Sequence, residues 1–509
     1  MRRPASWILP ALMALINISL ALACRTKPQA VTLPVGPPVP EALIQEYVSQ
    51  GDELFQAMHL HAWRQAEAAY AKAYGLAQRP EIRDKLALVK LLRMTREVDE
   101  DIACPSMDED IRFICQDPSD ARAQAFCDLA KAYALGPAAA AEQMKRVEPS
   151  VLQVEASPLD AYFFALHART FGLDAKNDDF KKQLSAKYKD SPLFIYWGLG
   201  LGSSSVTDKF PDFAEAWEFS AEMSFQRNQI KAARTGFAKA LDLVPDYTRA
   251  INGLGNIYFF TLEDYANALK TYERALKWDP RNTGALFGKG AALHSMDKYD
   301  ESNAALDLML ATDLSRRGRV ALNSVQYYRG EANYYKSYNY HLMKDPARAR
   351  ELIDVAKRDL PNSEEINYLS GLLYFNAGQL DAAKADFEKA AKQGKNCYAY
   401  HYLGLIELKT GGPTAASQFL TCSACLERAL RTFKQNAQSA EKLDIEPSEK
   451  EALRLRMEMK LVQSRDSSAE LIQHMIGLIR EAPIDDKWKE MFTTSMNDLL
   501  AKITAIDVK

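Results

Sequence analysis

Small and large apolar residues recur with a helical rhythm through the middle of this 509-residue chain. Over residues 214–280 one pattern is written twice. Trp217, Ala221, Ala233, Phe237, Ala240 and Pro245 make the first copy; Ile251, Gly255, Tyr258, Ala268, Tyr272, Ala275 and Pro280 make the second. The prolines stand 35 residues apart, a period that predicts stacked helix pairs. A third pair carries Leu286, Gly290 and Leu293, then Ser302 and Leu306. A fourth carries Gly330, Tyr334, Ala349, Ile353, Ala356 and Pro361, with a first helix or turn several residues longer. A fifth has Gly371, Tyr374, Ala383, Phe387 and Ala390; a sixth has Tyr400, Leu403, Gly404 and Ala416, then an altered second helix over 419–432. Gly or Ala at 255, 268, 290, 371, 383 and 404 lets two helices approach, while large side chains fill the space between. Pro245, Pro280 and Pro361 stop each second helix, since proline cannot continue the hydrogen-bond ladder.

These residues and their order resemble the tetratricopeptide repeat: a Trp-x2-Leu-Gly-x2-Tyr helix, then Ala-x3-Phe and a closing Pro. The resemblance covers about six pairs over 206–435 and implies an all-α, right-handed superhelical solenoid of antiparallel helix pairs. It also implies a concave face lined by the first helices. In the family register the inward positions include Arg249, Asn252, Asn256, Phe259, Tyr327, Glu331, Tyr334, Tyr368, Phe375 and His401. Tyr327, Tyr334 and Tyr338, spaced by seven and four, fall on one stripe. Asn can hold a peptide backbone from both sides and Tyr offers area with a polar tip, which suits an extended peptide or a partner helix. The same stripe would also serve as core between helices. A basic clamp for carboxyl termini is not evident, because Asn252 and Asn256 lack matching lysines.

Outside the array the rhythm is uneven. Residues 41–78 read as a degenerate pair, with Gly51, Leu54, Phe55, Ala66, Ala69, Tyr70 and Ala73 before Pro80. Helices are predicted over 81–98, 121–134, 158–171 and 180–188, with an acidic, turn-rich stretch over 99–120. A Gly/Ser-rich joint near 200–206 sets the boundary of a degenerate helical region, 41–205. Past residue 442, helices over 448–464, 468–481 and 485–506 are predicted to seal the last pair, making 436–509 a capping segment.

Composition is that of a soluble protein, 47% hydrophobic and 26% charged, and the net charge of −3 offers no basic excess for nucleic acid. The first residues change the picture. Arg2 and Arg3 precede an uncharged apolar run ending at Ala21-Leu22-Ala23-Cys24, the layout of a secretory signal over 1–23. It resembles a bacterial lipoprotein signal, in which the cysteine is lipidated and becomes the new N-terminus, although Ala21 stands where that family usually has Leu. Ordinary cleavage after Ala21-x-Ala23 and an uncleaved anchor are the other readings. Arg25, in place of Asp, leans by analogy toward the outer membrane, facing the periplasm. Residues 24–40 hold five prolines and read as a semi-rigid tether of about 3.1 Å per residue.

Export gives the other cysteines meaning. Cys104, Cys115 and Cys127, and Cys397, Cys422 and Cys425, form two clusters of three, each able to close one bridge and leave one thiol. Cys397 opens the first helix of the sixth pair while Cys422 and Cys425 lie late in the antiparallel second helix. A staple from Cys397 to Cys425, or to Cys422, follows. Cys422-Ser-Ala-Cys425 also admits a redox or metal reading, but no sheet accompanies it and no second matched pair completes a zinc site. His59 and His61 point to different helix faces, and Glu364-Glu365 reads as a solvated first turn. No phosphate loop, nucleophile elbow or metalloprotease helix is present. The expectation is a non-enzymatic, cofactor-free scaffold of the bacterial envelope with protein or peptide partners. A thiol-redox or metal-dependent factor and a cell-wall glycan module are the alternatives.

Overall fold

A computed structural model describes residues 40–135, 205–312, 322–392 and 396–506, apart from 58, 101, 103, 117, 119, 120 and 441. The signal, Cys24, most of the tether, the helices expected over 158–171 and 180–188 and the Gly/Ser joint lie outside the described residues. Among those described there are helices and turns and no strand.

The array is six helix pairs. They are α7 (Ala214–Gln226) with α8 (Ile230–Leu243), α9 (Thr248–Asn256) with α10 (Tyr265–Trp278), and α11 (Thr283–Ser295) with α12 (Tyr299–Leu310). Then come α13 (Leu322–Leu342) with α14 (Pro346–Asp359), α15 (Glu364–Asn376) with α16 (Leu380–Ala391), and α17 (Cys397–Thr410) with α18 (Ala415–Ala440). Ahead of them stand α1 (Glu41–Gln56), α2 (Leu60–Leu76), α3 (Pro80–Asp99), α4 (Met107–Ile114), α5 (Ala121–Leu135) and the short α6 (Ser205–Lys209). Behind them follow α19 (Pro447–Glu481) and α20 (Asp486–Thr504).

The small-against-large rule is visible at the second, fifth and sixth crossings. A Cβ on Gly255 would sit 2.5 Å from the Tyr272 ring, one on Gly371 2.8 Å from Phe387, and one on Gly404 2.4 Å from Phe419. Gly51 meets Tyr70 the same way at 2.5 Å, so α1 and α2 cross like a repeat pair. Ala268 and Ala383 are fully buried. Gly330 is different. It faces Leu360 and Asp359, and the small residue at the α13–α14 crossing is Ser337, whose hydroxyl donates to the Ala349 carbonyl at 2.7 Å. The fourth pair is therefore extended at the start of α13, by about two turns.

Each pair reverses through one left-handed residue: Asn228, Glu263, Asp297, Lys344, Gly378 and Gly411. In the first, third, fifth and sixth pairs it comes 14 residues after the first helix begins; in the second, at Glu263, it comes 15 after. The extra residue is absorbed as a π-helical turn, Ile257–Thr261, closing α9. That turn leaves Phe260 68% exposed while Phe259 packs 5.3 Å from Tyr265 at the edge of the core.

Two junctions depart from expectation. Residues 99–120 read as an acidic, turn-rich stretch, yet buried charge beginning at Glu100 joins α3 to the array. Glu100 takes hydrogen bonds from Tyr247 Oη at 2.5 Å and Arg249 Nη1 at 2.8 Å. Glu215 accepts from the Leu60 amide at 2.9 Å and lies 3.5 Å from Arg96, itself stacked over Trp63. Arg64 grips Asp246 with two bonds of 2.5 and 2.9 Å. At the other end, the helices expected over 448–464 and 468–481 are one helix, α19. Neither Gly nor Pro interrupts residues 464–468, and Ser468 is buried. A capping box between Glu446 and Glu449 starts it, with Pro447 at the first position. At ~1.5 Å per residue it runs roughly 52 Å. Its second half joins the core of the sixth pair through Ile472, Met475 and Ile476. Its first half reaches the first two pairs: Leu453 enters their core, Glu449 takes both 2.8 Å bonds of Arg234, and Lys460 meets Glu263 at 2.8 Å. The C-terminal helices thus do more than seal the last pair.

Candidate functional site

The surface best equipped to receive a partner is the face lined by the first helices of the third to sixth pairs. Aromatic rings stand side by side between the third and fourth pairs and between the fifth and sixth. Phe287 of α11 lies 5.7 Å from Tyr328 and 5.8 Å from Tyr335. On α13, Tyr334 stands 5.6 Å from Tyr335 and 6.2 Å from Tyr338. Tyr368 of α15 lies 6.5 Å from Tyr398 and 6.2 Å from Tyr402 of α17, and Phe375 lies 5.2 Å from Tyr402. Burial raises the hydroxyl pKa of Tyr334, Tyr335, Tyr368 and Tyr402, so these rings are neutral contact area at any ordinary pH. Tyr327 and Tyr398 keep 49% and 42% of their surface open.

The sequence-predicted residues divide on this face. Tyr327, Glu331, Tyr334, Tyr368 and Phe375 belong to it, with the Lys409 ammonium 4.4 Å above the Phe375 ring. Asn252 and Asn256 are engaged inside the fold. Asn252 donates at 3.0 Å to Asn282 Oδ1, which caps α11 by accepting from the Ala285 amide, and Asn256 accepts from Tyr272 Oη at 2.8 Å. Phe259 is turned into the core edge by the π turn. Arg249 is held by Glu100 and by Glu218 at 3.1 Å. His401 is buried beside His474, ring centroids 6.5 Å apart, and burial lowers its pKa to about 4.

Sequence reasoning passed over Tyr335, Glu365, Tyr398 and Tyr402. For Glu365 and Tyr398 the signal was available, since each stands six residues before Gly371 or Gly404, as Arg249 stands six before Gly255. The acidic end of the face is Glu331, whose pKa is raised by burial and by the nearby Glu365. An open cleft of about 360 Å³ lies between α17, α18 and α19, lined by Tyr398, Leu426, Leu430, Phe433, Ser464 and Ser468.

Each cysteine cluster closes one bridge. Cys115 joins Cys127 and Cys397 joins Cys425, with Cα separations of 4.8 and 5.3 Å. Cys422 and Cys104 are thiols, and burial pushes both up to about 12. A buried, protonated thiol is a poor nucleophile, which weighs against redox chemistry at Cys422. Among the described residues no three His, Cys, Asp or Glu side chains gather as a metal site.

The described residues form a solenoid of helix pairs, two of which carry the tetratricopeptide repeat. Residues 248–282 and 364–393, within the second and fifth pairs, match the family model of the tetratricopeptide repeat. No curated protein matches the chain. Among solved structures it is similar to PilF of Pseudomonas aeruginosa, at 20% identity and a TM-score of 0.37, covering 41% of this chain and 89% of that one. It is similar to PilW, a type IV pilus biogenesis factor, at 18% identity and a TM-score of 0.33, covering 45% and 97%. Yeast Tom70 matches at 14% identity and a TM-score of 0.30, covering 90% and 96%. Superpositions at these scores distinguish little, and the fold stands on the chain's own pairs and the two family matches.

Proposed function

We propose that this chain is a non-enzymatic scaffold of the bacterial cell envelope that holds other envelope proteins on the face lined by its first helices. Its leader directs export, Cys24 takes the lipid that anchors it to the outer membrane, and the proline-rich residues to 40 carry the array clear of the bilayer. One observation carries the binding reading: aromatic rings meet from the third pair to the fourth and from the fifth to the sixth, with Tyr327 and Tyr398 left open. Tyrosine supplies rigid contact area with a polar tip, at small conformational cost.

Affinity purification from detergent-solubilised envelope, followed by mass spectrometry, tests it. Wild type should retain proteins that a Tyr327→Ala/Tyr398→Ala variant of unchanged melting loses. An identical retained set would refute the face as the binding surface. Labelling with an alkyne fatty acid tests the anchor separately, since Cys24→Ser should abolish the label. Tyrosine rings also stack on sugars, which keeps a glycan-binding reading alive. Retention of the pure protein on isolated cell wall, lost in the same double variant, would favour that reading.

A further inference from the structure

We propose that the joint between α3 and the first pair is a proton-operated lock. The N-terminal helices dock on the array by taking up a proton, and the joint loosens as pH rises. The lock stands on the geometry of the joint and is independent of the proposed binding face.

Three buried carboxylates, Glu100, Glu215 and Glu218, share the joint with two guanidiniums, Arg96 and Arg249. Arg249 bridges two of the acids, reaching Glu100 at 2.8 Å and Glu218 at 3.1 Å. Glu215 stands one turn before Glu218 on α7 and lies 3.5 Å from Arg96. Tyr247 donates to Glu100 and the Leu60 amide donates to Glu215, but neither bond brings a charge. Within this cluster one negative charge is left over. Glu100 Oε1 and Glu215 Oε2 are also buried with no hydrogen-bond partner. Ionised oxygens so placed are costly, and a bound proton removes the surplus. Burial, seconded by the charge of Glu100, raises the pKa of Glu215 and Glu218 against the pull of Arg96 and Arg249, that of Glu218 to about 7.

The neighbouring groups do not relieve it. On α2, Arg64 is taken by Asp246 and Glu97, and burial lowers the pKa of His59 to about 4, which leaves it neutral. Arg93 of α3 pairs with Glu67, Glu97 and Asp110. Lys209 of α6 lies over Phe210, and Arg234 of α8 is held by Glu449. Glu222 of α7 adds negative charge.

Little apolar contact fastens the joint. The N-terminal helices have their own core, around Trp63, Tyr70 and Leu92, and the first two pairs have another. Among the described residues, Leu60 and Ile102 are the N-terminal side chains that enter the second. Ionising the surplus carboxyl can therefore open the joint without dissolving either core. The docked state binds the proton more tightly than the ordinary carboxyl value of 4.5 allows, so docking is strongest below about pH 4.5 and weakens up to about 7.

Hydrogen exchange of the full-length chain at pH 5 and pH 8, corrected for intrinsic rates, tests the lock. The Leu60 amide, held by Glu215, should lose protection by up to about a hundredfold at pH 8. Amides of α15 and α16 should keep theirs. Glu218→Gln or Glu215→Gln, which supplies the missing hydrogen permanently, should remove the pH dependence at Leu60. Equal protection of Leu60 at both pH values, a parallel loss in α15 and α16, or an undiminished pH dependence in both variants would overturn the lock. Where a variant fails to fold, the wild-type contrast between Leu60 and the fifth pair decides.

Discussion

The joint between α3 and the first pair, and the joints between pairs within the array, solve one problem in opposite ways. Inside the array, glycine or alanine meets an aromatic or aliphatic side chain. Stability there comes from contact area and close packing, and it is local. At the α3 joint, Arg96, Glu100, Glu215 and Glu218 are all buried, and the contact is made of charge. Buried ion pairs add modest net stability when complete but cost heavily when one partner is removed. A repeat joint should therefore degrade gradually under mutation, whereas the charged joint should fail abruptly.

The largest effect should follow removal of a buried cation. Arg96→Ala leaves Glu215 without its guanidinium and is expected to cost about 3–5 kcal/mol in denaturant unfolding. A loss within 1 kcal/mol would mean that the charges are solvated after all. Next comes pH. Burial pushes the Glu218 carboxyl up to about 7, against the opposing pull of Arg249. The folded state then holds its proton more tightly than the unfolded state, whose value is 4.5. Stability should therefore fall as pH rises from about 4.5 to 7, by no more than about 3 kcal/mol. Glu218→Gln should flatten that slope; a profile identical to wild type would remove Glu218 as its source. Gly404→Val, which drives a side chain into Phe419, is expected to cost about 1–3 kcal/mol, with lost exchange protection confined to the fifth and sixth pairs. Smallest is Arg234→Ala. Its pair with Glu449 is partly exposed, and about 0.5–1 kcal/mol should be lost.

The same contrast explains what the sequence could reveal. Small-to-large alternation is periodic, so the six pairs and their proline stops were legible from spacing, while about half of the aromatic face came from the register that the repeat resemblance implies. The one-residue insertion ending in Glu263 was not legible, because a π turn absorbs it without disturbing the pattern on either side. That insertion turned Phe259 away. The extended start of α13 moved the crossing from Gly330 to Ser337. Asn252 and Asn256 matched the inward register, but a register does not say whether an amide is already hydrogen-bonded to Asn282 or Tyr272. The buried role of Glu100 was not legible, because its partners Tyr247 and Arg249 lie more than a hundred residues away. The unbroken course of α19 was hidden by the polar run Ser464-Arg465-Asp466-Ser467-Ser468, which interrupts the apolar pattern although Ser468 stays on the buried face.

A stack of helix pairs is ordinarily a spring, since every joint yields a little and the small rotations add along the chain. The helix running from the sixth pair back to the first two acts as a tie rod across that spring. With contacts at both ends, the helix couples the first two pairs to the sixth, so that a change of pitch must be felt at both. Freeing one end of the rod, at Arg234–Glu449 or Lys460–Glu263, would change the mechanical compliance of the whole protein while leaving every repeat intact.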